Sequence, residues 1–303
     1  MSLEKKWLII IVNYNTALLT LKAIKSIYKS NINNFDIIVI DNNSSDKSVK
    51  LISSTFPSLQ MIVNKTNVGY AKANNQAIRL TQNEYILLMN SDTEMITQHA
   101  LQKLQQHFEK EQQTGIVGAV LLNSKKKIQS AGRPFLTLSQ MIKKYLFCYE
   151  PNKIQNSSTS YPVDYVDGAF LAIRRSAIKN IGYMDDNFFL FAEDMDWCKR
   201  AWLCGWQVRI APQILVLHHH GASSTQDFTN ALISNGKSIY YYMQKYNPGH
   251  AQMAFIVFCI ALGLRIPLAI LRHTGLAGDY WRALKCCIQL LPRLETLNNR
   301  NTL

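Results

Sequence analysis

Acidic residues are in short supply in this chain: 20 Asp and Glu stand against 33 Lys and Arg, for a formal net charge of +13 over 303 residues. A basic surface attracts nucleic acid, anionic lipid and phosphorylated small molecules alike, so charge alone does not choose among them. No recognisable nucleic-acid module accompanies the charge, and the positive residues concentrate in loops and in the carboxy-terminal part, so no nucleic-acid partner is expected. Cysteine is sparse as well. The six, at 148, 198, 204, 259, 286 and 287, form no Cys-x-x-Cys pair and no regular framework, which argues against a zinc site and a disulfide scaffold and fits a reducing cytosol. No glycine fingerprint follows the first apolar run, which ends in Asn13-Tyr14-Asn15, so a dinucleotide-dependent oxidoreductase is disfavoured. The run inside MSLEKKWLIIIVNYN is short and has no small-residue cleavage site, and it reads as a buried strand, not a signal peptide.

What the chain does have is apolar mass, 48% of its residues, enough for one large core or one core with a small appendage. Short apolar runs at Trp7 to Val12, Phe35 to Ile40, Leu59 to Val63 and Tyr85 to Met89 have the length of strands buried on both faces. Helix-like stretches separate them. Thr16 can cap a segment with Leu18, Leu19, Ala23, Ile24 and Ile27 on one side, and Gly69 precedes an alanine-rich segment reaching Leu80. This alternation predicts an α/β fold with a mostly parallel sheet and right-handed crossovers, in which ligands bind beyond the carboxyl ends of the strands. The residues there are Asn13-Tyr14-Asn15, Asp41-Asn42-Asn43, Asn64 to Asn67 and Asn90-Ser91-Asp92, which should converge on one edge.

Further on, a helix is expected over roughly Ile96 to Glu109 and a strand over Ile116 to Leu122. A less readable span to Tyr161 is expected to be a loop bordering the acceptor site. Regularity returns at Val163 to Ile173, a helix opens near Glu193, and a strand runs from Gln207 to Leu217. Composition changes past Asn247-Pro248-Gly249. The expected division is residues 1–247 as a catalytic domain, with a nucleotide-binding half to about 122 and an acceptor half from 123, and residues 248–303 as a helical tail.

Three stretches can carry chemistry. A carboxylate at Asp92, after a strand in a nucleotide-binding context, can hold a divalent cation that bridges a diphosphate, although a lone Asp after a strand often only caps a turn. In FFLFAEDMDWCKRAWLCGW, Glu193, Asp194 and Asp196 sit beside aromatics at a helix start. Acids in a first turn commonly serve the helix dipole, but clustered carboxylates against apolar surface are costly without a task. The helix amino terminus should keep the second acid ionised. In ILVLHHHGASS, an apolar strand leads into three histidines, one of which can join Asp92 on a metal, against the plainer reading of a surface histidine run. Gly69 and Gly168 permit close backbone approach, or serve turns.

Seven segments carry a family resemblance in their order: IIVNYN, VIDNNSSDKS, NVGYAKANNQAI, YILLMNSDT, DGAFLAIRR, FFLFAEDMDWCKRAWLCGW and LHHHGASS. Over about Trp7 to Ser224 the chain resembles family 2 glycosyltransferases of the GT-A fold, near bacterial rhamnosyltransferases. The resemblance implies that Asp41 contacts the nucleobase or ribose, that Asn13 and Asn15 line that pocket, and that Asn67, Gly69 and Asn74 border the diphosphate. Asp92 is then the last acid of a DxD-type motif whose first position is here Asn90, leaving direct metal binding to Asp92. Asp194 matches the catalytic base, and His218, counted back from Gly-Ala-Ser-Ser, supplies a metal or phosphate contact in preference to His219 and His220. Asp167 and Gly168 open the segment facing donor sugar and acceptor.

The implied function is an inverting transferase dependent on Mn2+ or Mg2+, moving rhamnose from dTDP-rhamnose to a glycan or lipid-linked acceptor in cell-surface polysaccharide synthesis. A UDP-sugar donor, or noncatalytic nucleotide-sugar binding, is the alternative. In the tail, MAFIVFCIALGLRIPLAIL at Met253 to Leu271 approaches spanning length but is interrupted by Arg265 and Pro267. With Arg272, His273, Arg282, Lys285 and Arg293 following, it reads as an interfacial helix pair at the inner face of the cytoplasmic membrane, or equally as the face of a homo-oligomer.

Overall fold

The structure, a computed structural model, describes residues 6–30, 34–147, 149, 159–219 and 226–298, with 292–298 as backbone only. Its elements in chain order are β1 (Trp7–Asn13), α1 (Ala17–Lys29), β2 (Phe35–Asp41), α2 (Ser48–Thr55), β3 (Gln60–Val63), α3 (Tyr70–Leu80), β4 (Tyr85–Met89) and β5 (Thr93–Met95). There follow α4 (Ala100–Lys110), β6 (Thr114–Leu122), β7 (Ile128–Ser130), α5 (Leu138–Phe147), β8 (Tyr161–Pro162), β9 (Phe170–Arg174), α6 (Arg175–Ile181) and α7 (Glu193–Leu203). The last are β10 (Gln207–His218), α8 (Phe228–Tyr246), α9 (Ala251–Leu271) and α10 (Ala277–Asn298). These form two compact units, one of residues 1–135, 151–189 and 193–223, the other of 136–150, 190–192 and 224–303.

In the first unit the strands form one mixed, mostly parallel sheet in the order β3-β2-β1-β4-β9-β6-β10-β5. The apolar runs of β1, β2 and β4 alternate between two cores, as strands covered on both faces must. Leu8, Ile10, Ile38, Ile40, Ile86 and Leu88 meet α3 and α7 on one face through Ala73, Ala77, Ile78 and Trp197. Ile9, Ile11, Val39, Leu87 and Met89 meet α1 and α4 on the other through Ile24, Ile27, Leu104 and Phe108. The chain leaves β1 toward β2 on one side and toward β4 on the other, so a switch point lies between β1 and β4, where an open sheet leaves a crevice. Asn13 lies level with Asp41, and Asp41 with Val63, which brings the first three strand ends to one line.

Several expectations change. The span before Tyr161 is not simply a loop: it holds β7 and α5, the latter burying Met141 with Tyr145 one turn on. The helix expected from Ile96 starts at Ala100, because Thr93–Met95 first pairs antiparallel with β10 and His99 then turns through φ 56°. Within the regular stretch from Val163 to Ile173 the chain turns at Asp167–Phe170 and enters β9.

The second unit is helical. Gly236 of α8 lies under Phe258 of α9, where a Cβ would come within 2.8 Å of the ring, and Tyr145 of α5 meets the same ring edge-on with centroids 5.5 Å apart. Thr229 donates to Asp279 at 2.7 Å, tying α8 to α10. Arg265 and Pro267 do not break α9 as the sequence suggested. Arg265 turns back to donate to the Ala261 carbonyl at 3.0 Å, and α9 continues through Pro267 to Leu271. The helix from Pro248 to Leu271, at 24 residues, is long and apolar enough to cross a membrane, a test that core helices also pass.

Candidate active site

The first part of the edge formed by these strand ends is built on Asn13. Its amide donates to Asp41 Oδ1 at 2.7 Å and Ser44 Oγ at 3.0 Å, and accepts from Thr16 at 2.9 Å and Thr20 at 2.6 Å. Those four bonds use the whole hydrogen-bonding capacity of the amide. Buried Asp41 also accepts from the Ser44 N–H at 2.9 Å. Thr16 reaches across the β1–β4 crevice to Ser91 at 2.8 Å. Asn15, at φ 53°, accepts from the N–H groups of Ser45 at 2.7 Å and Asp46 at 3.2 Å. A short polar side chain is what tolerates that left-handed backbone. The predicted residues therefore come together, Asn13 and Asn15 shaping the loop that presents Asp41.

Asn42 organises the next stretch, which sequence reasoning did not single out. It donates to Asn67 at 2.8 Å and accepts from Asn64 and from the Val68 N–H, each at 3.1 Å. Asn67 in turn accepts from the Gly69 N–H at 3.0 Å. The close approach that Gly69 permits is taken up by Phe189 of this unit, whose carbonyl accepts from Tyr70 N–H at 2.7 Å. Asn74 is fully buried; its amide donates to the Tyr70 carbonyl at 2.9 Å, while Oδ1 has no protein partner.

Beyond β4, the Asn90 N–H donates to the Ala169 carbonyl at 3.0 Å, and its own carbonyl accepts from Thr93 Oγ1 at 2.7 Å, closing the turn that carries Asp92. Because β5 pairs antiparallel with β10, Thr93 lies opposite His218. His218 Nε2 stands 3.4 Å from Asp92 Oδ1, both side chains largely buried. His219 turns the other way and meets Glu94 at 2.7 Å. His220 and Gly221 to Ser224 lie outside the described residues. A carboxylate oxygen and an imidazole nitrogen suit a divalent ion such as manganese. Among the described residues no cluster of three or more His, Cys, Asp or Glu gathers.

Asp194 opens α7 and is held by two backbone donors, Gly168 N–H on Oδ2 at 2.8 Å and its neighbour Met195 N–H on Oδ1 at 2.7 Å. Burial, followed by the nearby Asp167 charge, nevertheless pushes its carboxyl up to about 6, with the two N–H groups and Arg133 pulling the other way. The helix start was expected to keep this acid ionised; the backbone N–H groups act in that direction, and burial acts more strongly in the other. Asp167 is paired with Arg133 at 3.1 Å and with Ser130. Buried Glu193, with Oε2 unpartnered, is raised well above the carboxylate range by burial and then by Asp194. Asp196 points away to Arg200 at 2.8 Å, whose guanidinium also holds the Ile181 and Tyr183 carbonyls. Tyr70, absent from the sequence expectations, donates to the Gly168 carbonyl at 2.9 Å. Its phenol is pushed up by burial, then by Glu193 and Asp194, and less by Asp92, so all three acids lie within its electrostatic reach.

The chain is similar to known proteins in both sequence and fold. The family described as glycosyl transferase family 2 matches residues 8–182, more than half of the chain. An N-acetylglucosaminyl-diphospho-decaprenol L-rhamnosyltransferase of Mycobacterium tuberculosis is 22% identical over 235 residues, covering 70% of this chain and 76% of the relative. Among solved structures, a mannosyltransferase from Pyrobaculum calidifontis in complex with GDP-Man and Mn2+ superposes with a TM-score of 0.56 at 15% identity, over 99% of this chain and 88% of that one. GalNAc-T7 with UDP, GalNAc and Mn2+ gives a TM-score of 0.57 at 14% identity over 81% of this chain; it spans about twice the matched length, 51% of it being covered. The fold is that of the GT-A enzymes, and the chain belongs to glycosyl transferase family 2.

Proposed function

We propose that this glycosyltransferase inverts the anomeric centre of its donor and depends on a divalent cation, Mn2+ or Mg2+. The observation that carries the reading is the gathering, at the carboxyl ends of one sheet, of a buried Asp92–His218 pair and a separate carboxylate, Asp194, held by two backbone N–H groups and pushed up to about 6 by burial. A proton acceptor works best with a value near the operating pH. Asp194 takes the proton of the acceptor hydroxyl as its oxygen bonds to the anomeric carbon. The bond from that carbon to the diphosphate oxygen breaks, and the nucleoside diphosphate leaves from the opposite face. No covalent enzyme intermediate is needed.

Asp92 and His218 would hold the cation, which when bound would supply positive charge to offset that of the leaving diphosphate. Asp41, with Asn13 and Asn15 behind it, serves the nucleoside; Asn67, Gly69, Asn74 and Asn90 border the diphosphate. Asn74 Oδ1, buried without a protein partner, favours a polar ligand nearby. The Mycobacterium relative's name favours rhamnose from dTDP-rhamnose and a lipid-linked acceptor, in polysaccharide synthesis; a UDP-sugar is the alternative donor. Residues 1–247 would carry catalysis and 248–303 attachment to the inner face of the cytoplasmic membrane, or self-association.

A thermal-shift comparison of dTDP, UDP and GDP with and without Mn2+ tests the donor and metal together. Stabilisation by dTDP that requires Mn2+ is expected; equal stabilisation in excess chelator would overturn the metal role. Transfer from dTDP-rhamnose to a diphosphate-lipid-linked N-acetylglucosamine then tests sugar and acceptor.

A further inference from the structure

Gly168 is gripped from two sides. Its N–H donates to Asp194 Oδ2 at 2.8 Å, while its carbonyl accepts from the Tyr70 hydroxyl at 2.9 Å. A Cβ at this glycine would lie 3.4 Å from Asp194 Oδ2 and 3.6 Å from Tyr70 Cε1, so both side chains pack against the glycine. Glycine has the softest dihedrals of any residue, and a bond made by its N–H is only as well aimed as its backbone is fixed. The neighbours of Gly168 are fixed separately: Ala169 through Asn90, and Asp167 through Arg133 and Ser130. Tyr70 is itself anchored, as the first residue of α3, by its N–H on the Phe189 carbonyl at 2.7 Å.

We infer that Tyr70 is a positioning residue for the transfer reaction, pinning Gly168 so that its N–H stays aimed at Asp194. The inference deepens the proposed function and rests on Asp194 being the base. An amide donor on a carboxylate favours the ionised form, so a loosened Gly168 leaves Asp194 harder to ionise and less well directed. The other groups facing Asp194 are Asp167 ahead of β9, Arg133 after β7, and Glu193 of α7. Tyr70→Phe leaves all three in place and keeps the ring, removing only the hydroxyl.

The test needs a readout that packing alone would not move. The full chain labelled with 13C at Asp carboxyls is titrated by NMR, with Asp194→Asn identifying the Asp194 signal. In Tyr70→Phe the Asp194 midpoint should rise by about half a pH unit or more, and the acid limb of transfer from dTDP-rhamnose should move with it. The melting temperature and the affinity for dTDP should stay near the parental values. If Phe at position 70 fails to fold, Tyr70→Leu, which also lacks the hydroxyl, takes its place. An unchanged midpoint in a folded variant overturns the inference. A shifted midpoint together with undiminished transfer by Asp194→Asn would leave the pinning intact and remove the base assignment instead.

Discussion

Gly69 and Phe189 meet where no side chain could stand between them: a Cβ on Gly69 would lie 2.6 Å from the Phe189 carbonyl oxygen, and the glycine holds φ at +87°. The contact joins the start of α3 to the segment leading into α7, and so the asparagine-rich edge to the stretch that carries Asp194. Gly69→Ala should therefore lower unfolding stability by about 2 kcal/mol or more, from left-handed strain together with the clash. Urea denaturation reads this directly; a variant with the parental midpoint and slope shows that the segment can move aside.

Asp194→Asn should reduce transfer by about two orders of magnitude or more while leaving dTDP affinity within a few fold, since the amide keeps the shape and loses the proton-accepting charge. Steady-state rates and calorimetry on the same preparation separate the two. Parental turnover in the variant would remove Asp194 from the chemistry.

The same residue sets a pH dependence of opposite sign for rate and stability. With Asp194 as the proposed base, kcat/KM should rise as pH increases through about 6. Because the folded value lies above the ordinary 3.8, the contribution to stability from this group is fully present below pH 3.8 and is lost as pH rises through about 6. Subtracting the stability profile of Asp194→Asn from that of the parent isolates the slope; a flat difference over that window contradicts the assignment.

Asp196→Asn should act on the fold. Its carboxylate is fully buried against Arg200, and removing one member of such a pair costs about 3 kcal/mol, since the other is left under-compensated. Denaturation should show the loss while dTDP affinity in the folded fraction stays unchanged. A variant of parental stability but no transfer would move Asp196 into the active site.

Much of this was legible from the chain. Buried strands announce themselves by apolar runs without alternation, and the polar residues ending β1, β2 and β4 could be placed on one edge before any coordinates. The choice of the acid at 194 and the histidine at 218 comes from the family resemblance, and their roles are proposals. Tyr70 was not legible, because its role depends on Gly168, ninety-eight residues away, and nothing local distinguishes it from a tyrosine that merely begins a helix. The state of Asp194 was only half legible: the favourable helix start is written in sequence, whereas the burial that outweighs it is a tertiary property. α5 was missed because its periodicity is brief and only Met141 is fully covered.

The helical unit leaves a stripe of α9 without cover: Met253, Ile256, Ile260, Leu264, Leu268 and Leu271 recur every three or four residues and are all exposed, with Trp281 and Ile288 of α10 exposed as well. Basic Arg272, His273, Arg282 and Lys285 stand exposed around the turn and the start of α10, while Arg293 lies beyond the described side chains. Apolar burial supplies persistence at a bilayer surface and the basic groups supply attraction to anionic headgroups. The full chain should therefore float with anionic vesicles, less so as salt rises but not to zero, because screening removes only the electrostatic share. Leu264→Glu combined with Leu268→Glu should reduce flotation at least about tenfold, since charges on the stripe oppose insertion, while dTDP binding is kept because the nucleotide-edge residues all lie in the other unit. If the parent stays soluble with vesicles but sediments as a dimer that the double variant splits, the stripe is a surface between two copies of the chain instead.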